Sequence, residues 1–521
     1  MNPLFRPFLT VSILIIATVY LPFAAQIFSL LQEKGTDEHL LAYLTGSSYL
    51  HSLTNSLLIG TCTACLAGAL GTVQAVLLQR VKFFGASFFS LLYFIPFLIP
   101  SYIHAIIWSK LLSTEGRGSI LYSVLYSPAG VIFILTITYA PLVTAVVRAG
   151  LRALDRSQED AASLSASSVK VMLRITLPRL YPHIISSSLV VMLLAMANYD
   201  VPDLLRIKVL PVEIFIQLSA MYDETGALLL ALPYLLVTGI LIFLVGKMTE
   251  RQRFTKKSSA ASPKLIYNNL ARICIVLLQL ILFTFALFIP LAVLLIEASA
   301  VENIWLILND SLPAITYTLL LSGCSAAVAL CCAFPLSYLL ARQHPLRNSI
   351  NVMALIPFVL PGVLVGLSLI QLGNLPLFFR LHSTSFFCAA ALVSHFLFIA
   401  VKILQAGIEQ IPAATEEVAA CVRGNKRKVI HVILLPQLLP VLINSFFIVF
   451  ICSFGELSAM LLLVPPGRET VALKIYNMMH YGAEDIVAVL CLIITLILFC
   501  SGWLVLLCQK IIRSHFLKSV H

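Results

Sequence analysis

Glu159–Pro178, EDAASLSASSVKVMLRITLP, and Glu417–Pro436, EVAACVRGNKRKVIHVILLP, are two versions of one segment set 258 residues apart. Eight of the twenty positions are identical: Glu159/Glu417, Ala161/Ala419, Ala162/Ala420, Lys170/Lys428, Val171/Val429, Ile175/Ile433, Leu177/Leu435 and Pro178/Pro436. The spacing is close to half of the 521 residues, as in a chain built from two copies of one unit. Each copy is a polar, basic island between long apolar runs.

Two further pairs support the duplication. Asn55–Arg80 returns as Tyr317–Arg342 at an offset of 262, with Arg80 opposite Arg342. Ile95-Pro96-Phe97-Leu98-Ile99-Pro100 returns as Ile356-Pro357-Phe358-Val359-Leu360-Pro361 at an offset of 261. Paired prolines remove backbone donors and kink a helix, which the bilayer tolerates where neighbours or a cavity satisfy the freed carbonyls. Pro96, Pro100, Pro357 and Pro361 are therefore candidates either for packing kinks or for lining a pathway.

A mean hydropathy of +0.99, with 60% hydrophobic and 11% charged residues, excludes an ordinary soluble domain. The runs suit helices of about 20 residues rather than alternating strands. The expected fold is an all-α polytopic membrane protein of about twelve transmembrane helices in two parallel six-helix repeats. The spans fall at 9–31, 52–78, 86–109, 129–147, 181–199, 226–246, 273–296, 312–340, 349–372, 384–401, 439–463 and 486–508. The first is read as a span, being long for a signal peptide. The halves are 1–247 and 268–521, joined by a polar, basic linker at 248–267.

With both termini in the cytoplasm, 26 of the 34 Lys and Arg fall on that side and 8 outside. This is the positive-inside bias, and it places both islands in the cytoplasm. The net charge of +11 thus reports topology rather than a nucleic-acid partner. Of twelve cysteines, eleven fall in spans and Cys421 in the second island; a lone Cys62-x-x-Cys65 supports neither a disulfide framework nor a metal site.

The islands have small residues at Ala161, Ala162, Ala419, Ala420 and Gly424, and a glutamate near each helix start. Such a surface lets another chain approach the helix closely. Resting on anionic lipid is the simpler reading for one island; two at equivalent places point to paired sockets on a partner.

Here the sequence resembles the permease subunits of binding-protein-dependent ABC importers. Their cytoplasmic signature runs E-A-A, three residues, G, then on to I-x-L-P. The first copy matches with Glu159, Asp160, Ala161 and Ser165, closing on Leu177-Pro178; the second with Glu417, Val418, Ala419 and Arg423, Gly424 one later, closing on Leu435-Pro436. Asp160, Val418, Ser165 and Arg423 depart from the pattern. The resemblance implies an inner-membrane protein without catalytic residues of its own. Its implied partners are two copies of an ATPase, which carry ATP and Mg, and a periplasmic binding protein.

Among such permeases the fused two-half form most resembles those for ferric iron, with thiamine and aminophosphonate permeases close behind. Gly455-Glu456-Leu457 through Pro466-Gly467 carries the likeness to the iron group, and Asn198 stands opposite Glu456. A carboxylate within a span is costly and is a candidate for function, so Asn198 and Glu456 join the pathway candidates; His395 is assigned to packing. The rival class is an ion-coupled secondary transporter. It requires mid-membrane ionisable groups, which are few here, and leaves the islands unexplained.

Overall fold

The computed structural model describes residues 5–32, 47–113, 119–154, 157–252, 269–381, 384–416, 418, 430–481 and 484–519. Among them the secondary structure is helical, apart from a single bridge residue. Helix α1 (Phe5–Gln32) and α2 (Ser47–Arg80) precede two short helices, α3 (Ala86–Leu92) and α4 (Ile95–Leu98). Then come α5 (Ser101–Ser113), α6 (Ile120–Leu125), α7 (Pro128–Ala153) and the island helices α8 (Ser157–Ser163) and α9 (Ser168–Val171). After α10 (Leu177–Ala197), the short α11 (Asp200–Leu204) and α12 (Leu210–Ser219) lead into α13 (Glu224–Gln252).

The second repeat follows the same order. Helices α14 (Asn269–Phe283) and α15 (Ile289–Ser299) lead to α16 (Ile304–Ala341), the partner of α2. Then come α17 (Arg347–Val359), α18 (Gly362–Asn374) and α19 (Phe386–Gln410). The chain finishes with α20 (Leu435–Phe454), α21 (Met460–Leu463), α22 (Val471–His480) and α23 (Glu484–Ser519). The pair α11 and α12 thus recurs as α21 and α22.

Among the described residues, ten helices are long and apolar enough to cross a bilayer. The remaining two expected spans, 86–109 and 349–372, are not simple kinked crossings. Ala86–Leu98 with Ser101–Leu112 bends by 91°, and Arg347–Val359 with Gly362–Asn374 by 98°. The second proline of each pair, Pro100 or Pro361, lies at the break. A proline cannot donate to the preceding turn, and the residue before it is driven to extended backbone, as at Ile99 (ψ 123°) and Leu360 (ψ 143°). Pro96 and Pro357 sit buried within the arm before the break. Each arm of the second pair is 13 residues, about 20 Å, too short to cross alone.

Prolines also shape three π segments. Met172–Thr176, Thr284–Phe288 and Ile430–Leu434 each end two residues before a proline: Pro178, Pro290 or Pro436. The Leu177 amide donates to the Met172 carbonyl, and Ile289 to Thr284, five residues back instead of four. Widening the turn moves the backbone away from the ring and re-pairs donors that the proline disturbs.

Packing divides the chain into two compact units, one of residues 37–296 and one of 1–36 with 297–521. Helix α1 accordingly packs on helices of the second repeat. Phe8 stacks edge-on against Phe334 at 5.9 Å and meets Tyr338 at 4.8 Å. In the other unit, the π segment after α14 packs on first-repeat helices, with Trp108 stacked on Phe285 at 5.9 Å.

Helices α2 and α7 run side by side in the same direction, meeting at successive levels through Gly71, Gln74 and Gln79. The closest approach is at Gly71, where a Cβ would lie 2.7 Å from both the Ala140 carbonyl oxygen and Val143 Cβ. Backbone cannot yield there. Gly71→Val is therefore expected to separate the two helices and destabilise the protein by about 1–3 kcal/mol. A thermal unfolding midpoint in detergent equal to the parent's would contradict the packing.

Candidate functional site

The first island is held by its glutamate. Glu159, on α8, is largely buried and faces Arg80 at the end of α2. Arg80 Nη1 lies 3.1 Å from Glu159 Oε2, and Arg80 Nη2 donates to Oε1 at 3.1 Å. The Thr176 hydroxyl, at the end of the π segment, donates to the same Oε1 at 2.8 Å. One carboxylate therefore joins three elements: the second span, the island helix and the turn entering α10. A bidentate arginine fork fixes orientation as well as distance.

The second island has the corresponding clamp, on a different residue from the one its motif suggests. Arg342 pairs with Glu416, its Nε donating to Oε1 at 3.0 Å, and the Tyr338 hydroxyl donates to Oε2 at 2.7 Å. Glu416 is buried. It stands opposite Glu159 at an offset of 257, the same offset that aligns Ala149-Gly150-Leu151 with Ala406-Gly407-Ile408. The clamp thus matches Glu159 with Glu416 by position in the fold, whereas Glu417, which the motif pairs with Glu159, lies outside the described residues. An extra residue in the second island restores the offset of 258 at the closing prolines.

Of the other island positions, Ala161 is exposed, Ala162 is half-buried, and Ser165 lies in the turn after α8, its amide donating to the Ala162 carbonyl at 3.1 Å. Val418 is exposed. Leu177-Pro178 and Leu435-Pro436 open α10 and α20. Glu417, Ala419, Ala420, Arg423 and Gly424, and the side chain of Asp160, lie outside the described residues. Leu164, at the tip of the first island, is 90% exposed, unusual for a leucine in so polar a segment.

At the far ends of α10 and α20 the pathway candidates are drawn together in matched pairs. Asn198 Nδ2 donates to Ser101 Oγ at 3.0 Å, and its Oδ1 accepts from the Val201 amide at 3.0 Å. Ser101 is the residue after the break at Pro100. In the second repeat, Gly362 follows Pro361, and a Cβ on it would lie 2.6 Å from Glu456 Oε1. Glutamate is one carbon longer than asparagine, and glycine supplies the space that this length needs. Glu456 Oε1 also accepts from Ser458 Oγ at 2.8 Å and from the Ala459 amide at 3.2 Å.

His395 is half-buried against the rings of Phe358 and Phe396, within electrostatic reach of Glu456. Among the described residues, no three His, Cys, Asp or Glu side chains are grouped so as to hold a metal ion.

Sequence reading missed Arg80 and Arg342 as partners, together with Thr176, Tyr338, Glu416, Ser101 and Gly362. The repeat match of Arg80 with Arg342 was a visible signal, as was the glycine register that selects Glu416. The clamp gives a discriminating test. Removing one partner of a buried ion pair strands the other charge and costs about 3–5 kcal/mol. Glu416→Ala should therefore speed hydrogen exchange in the segment around Pro412–Glu416, while Glu417→Ala leaves it near the parental rate. The opposite ranking would restore the motif's register.

The chain matches the family model for the binding-protein-dependent transport system inner membrane component twice, over residues 67–254 and 333–514. It is 27% identical over 477 residues to a Fe(3+)-transport system permease protein, FbpB 2, of Haemophilus influenzae, covering 88% of this chain and 89% of that one. A putative 2-aminoethylphosphonate transport system permease protein, PhnV, of Salmonella typhimurium is 26% identical over 226 residues, 39% of this chain and 81% of its own. The putrescine transport system permease protein PotI of Escherichia coli is 34% identical over 157 residues, 27% of this chain and 50% of its own. With both repeats matched and the apolar helices in place, the chain is a multi-pass inner-membrane protein that belongs to the binding-protein-dependent transport family, as a two-repeat permease subunit of an ABC importer.

Proposed function

We propose that this permease imports ferric iron, passing it from a periplasmic binding protein to the cytoplasm by alternating access. The observation that carries the substrate is the extent of similarity. The Haemophilus relative, named for Fe(3+) transport, aligns with nearly the whole of both chains, whereas the aminophosphonate relative aligns over 39% of this one. A ferric ion held by the delivery protein needs no dense ligand set in the membrane. Transient contact with Glu456 and Asn198, beside the breaks at Pro361 and Pro100, is the proposed route.

Coupling is assigned to the islands. Each docks on one copy of an ATPase subunit, which holds ATP and Mg, and both termini lie on that cytoplasmic side. Exposed Leu164, with Ala161 and Val418, offers an apolar contact to the socket. The clamps then oblige α2 and α16 to follow the docked islands. ATP binding turns the pathway outward, and hydrolysis returns it.

Cells lacking this chain should lose uptake of radioactive ferric iron while retaining 2-aminoethylphosphonate and thiamine uptake. In the parent strain, uptake should stop on ATP depletion and survive collapse of the proton gradient. Loss of phosphonate or thiamine uptake alone would replace the substrate. Uptake that follows the proton gradient and ignores ATP would overturn the coupling scheme in favour of an ion-coupled carrier.

A further inference from the structure

Arg148, on α7, is a buried cation that no carboxylate among the described residues meets within ion-pair distance. Its Nη2 donates to Ser90 Oγ at 2.7 Å, its Cζ lies 4.8 Å from the centre of the Tyr93 ring, and its Nε is buried with no hydrogen-bond partner. Arg152, one turn on, donates from Nε to Gln79 Oε1 at 3.4 Å. Among the described residues, neither arginine has a carboxylate within ion-pair distance. An arginine that merely marked topology would extend to water; Arg148 instead folds back against Tyr93.

Tyr93 is also part of the wall of an apolar cavity of about 580 Å³. The cavity runs beside α2 from Cys62 to Gln74 and beside α7 from Ala129 to Pro141, with Phe285 of the π segment on a third side. Twelve residues of helix rise about 18 Å, close to the roughly 15 Å depth of one leaflet's hydrocarbon. Because α2 and α7 run in the same direction, Gln74 and Pro141 lie at the same end of the cavity. Arg148 and Arg152 lie beyond that end, on the side of the first island. A cation just past the end of a tail-length apolar cavity is the arrangement that an anionic phospholipid complements.

We propose that this groove is a binding site for an anionic phospholipid of the leaflet on the island side, with one acyl chain in the cavity and its phosphate at Arg148 and Arg152. The lipid supplies the counter-ion that the described carboxylates do not. It also fills the space beside the three-element junction of α2, α7 and the π segment.

The test is native mass spectrometry of the purified full chain, titrated with phosphatidylglycerol or phosphatidylcholine of identical acyl chains. One phosphatidylglycerol per chain is expected to bind at least tenfold more tightly than phosphatidylcholine. Arg148→Gln should abolish the preference, Arg148→Lys should keep most of it, and Leu66→Trp, which fills the groove, should weaken both lipids. Equal binding of the two lipids by the parent would overturn the proposal, as would an unchanged preference in Arg148→Gln. If Arg148→Gln does not yield a folded protein, Leu66→Trp decides: undiminished tight binding of phosphatidylglycerol rejects the groove.

Discussion

In hydrocarbon a backbone donor or acceptor has no water to turn to, and this constraint governs the fold more than any side-chain contact. Twenty-five prolines in a largely helical chain would otherwise leave carbonyls unpaired. Besides prolines carried inside continuous helices, such as Pro141 and Pro335, the chain answers them in two ways. At Pro178 and Pro436, near the starts of spans, and at Pro290, inside the Asn269–Ser299 span, the preceding turn widens to π and the helix continues. Where Pro100 or Pro361 follows another proline four residues earlier, the helix breaks at nearly a right angle. The breaks lie where the polar residues Asn198 and Glu456 approach, so the backbone irregularity and the candidate pathway coincide.

The two repeats retain this geometry while exchanging the chemistry that supports it. Arg80 and Arg342 both grip an island carboxylate, but the third partner is Thr176 across the island in one repeat and Tyr338 on the same helix in the other. The first clamp thereby ties the island at both ends. Beside the breaks, Ser101 with Asn198 becomes Gly362 with Glu456, a shorter residue offsetting a longer one. Gly150 against His183 becomes Gly407 against Val441, both glycines admitting a side chain where a Cβ would lie 2.8 or 2.7 Å away. Such compensation is expected where steric fit is shared and only polarity diverges.

Much of this was legible in the sequence. Long apolar runs, the positive-inside bias and the offsets near 260 led to a duplicated helical bundle, and the paired prolines marked the irregular spans. The size of the bends was not legible, because a proline pattern gives a place and not an angle. Nor was the exchange of α1 into the unit of the second repeat, since Phe8 carries no sign of meeting Phe334 and Tyr338. The pairing of Glu416 with Arg342 was not legible from the motif, because adjacent carboxylates look alike in sequence. The glycine register and the position of Arg342 are what separate them.

The account depends most on the clamps being the mechanical link between island and span. Its most direct measurement is a charge-reversal cycle in reconstituted transporter, reading substrate moved per ATP hydrolysed. Arg80→Glu and Glu159→Arg should each lower that ratio at least tenfold, and the double variant, which rebuilds the pair with its charges exchanged, should recover most of it. A double variant no better coupled than either single one, or single variants with the parental ratio, would contradict the claim.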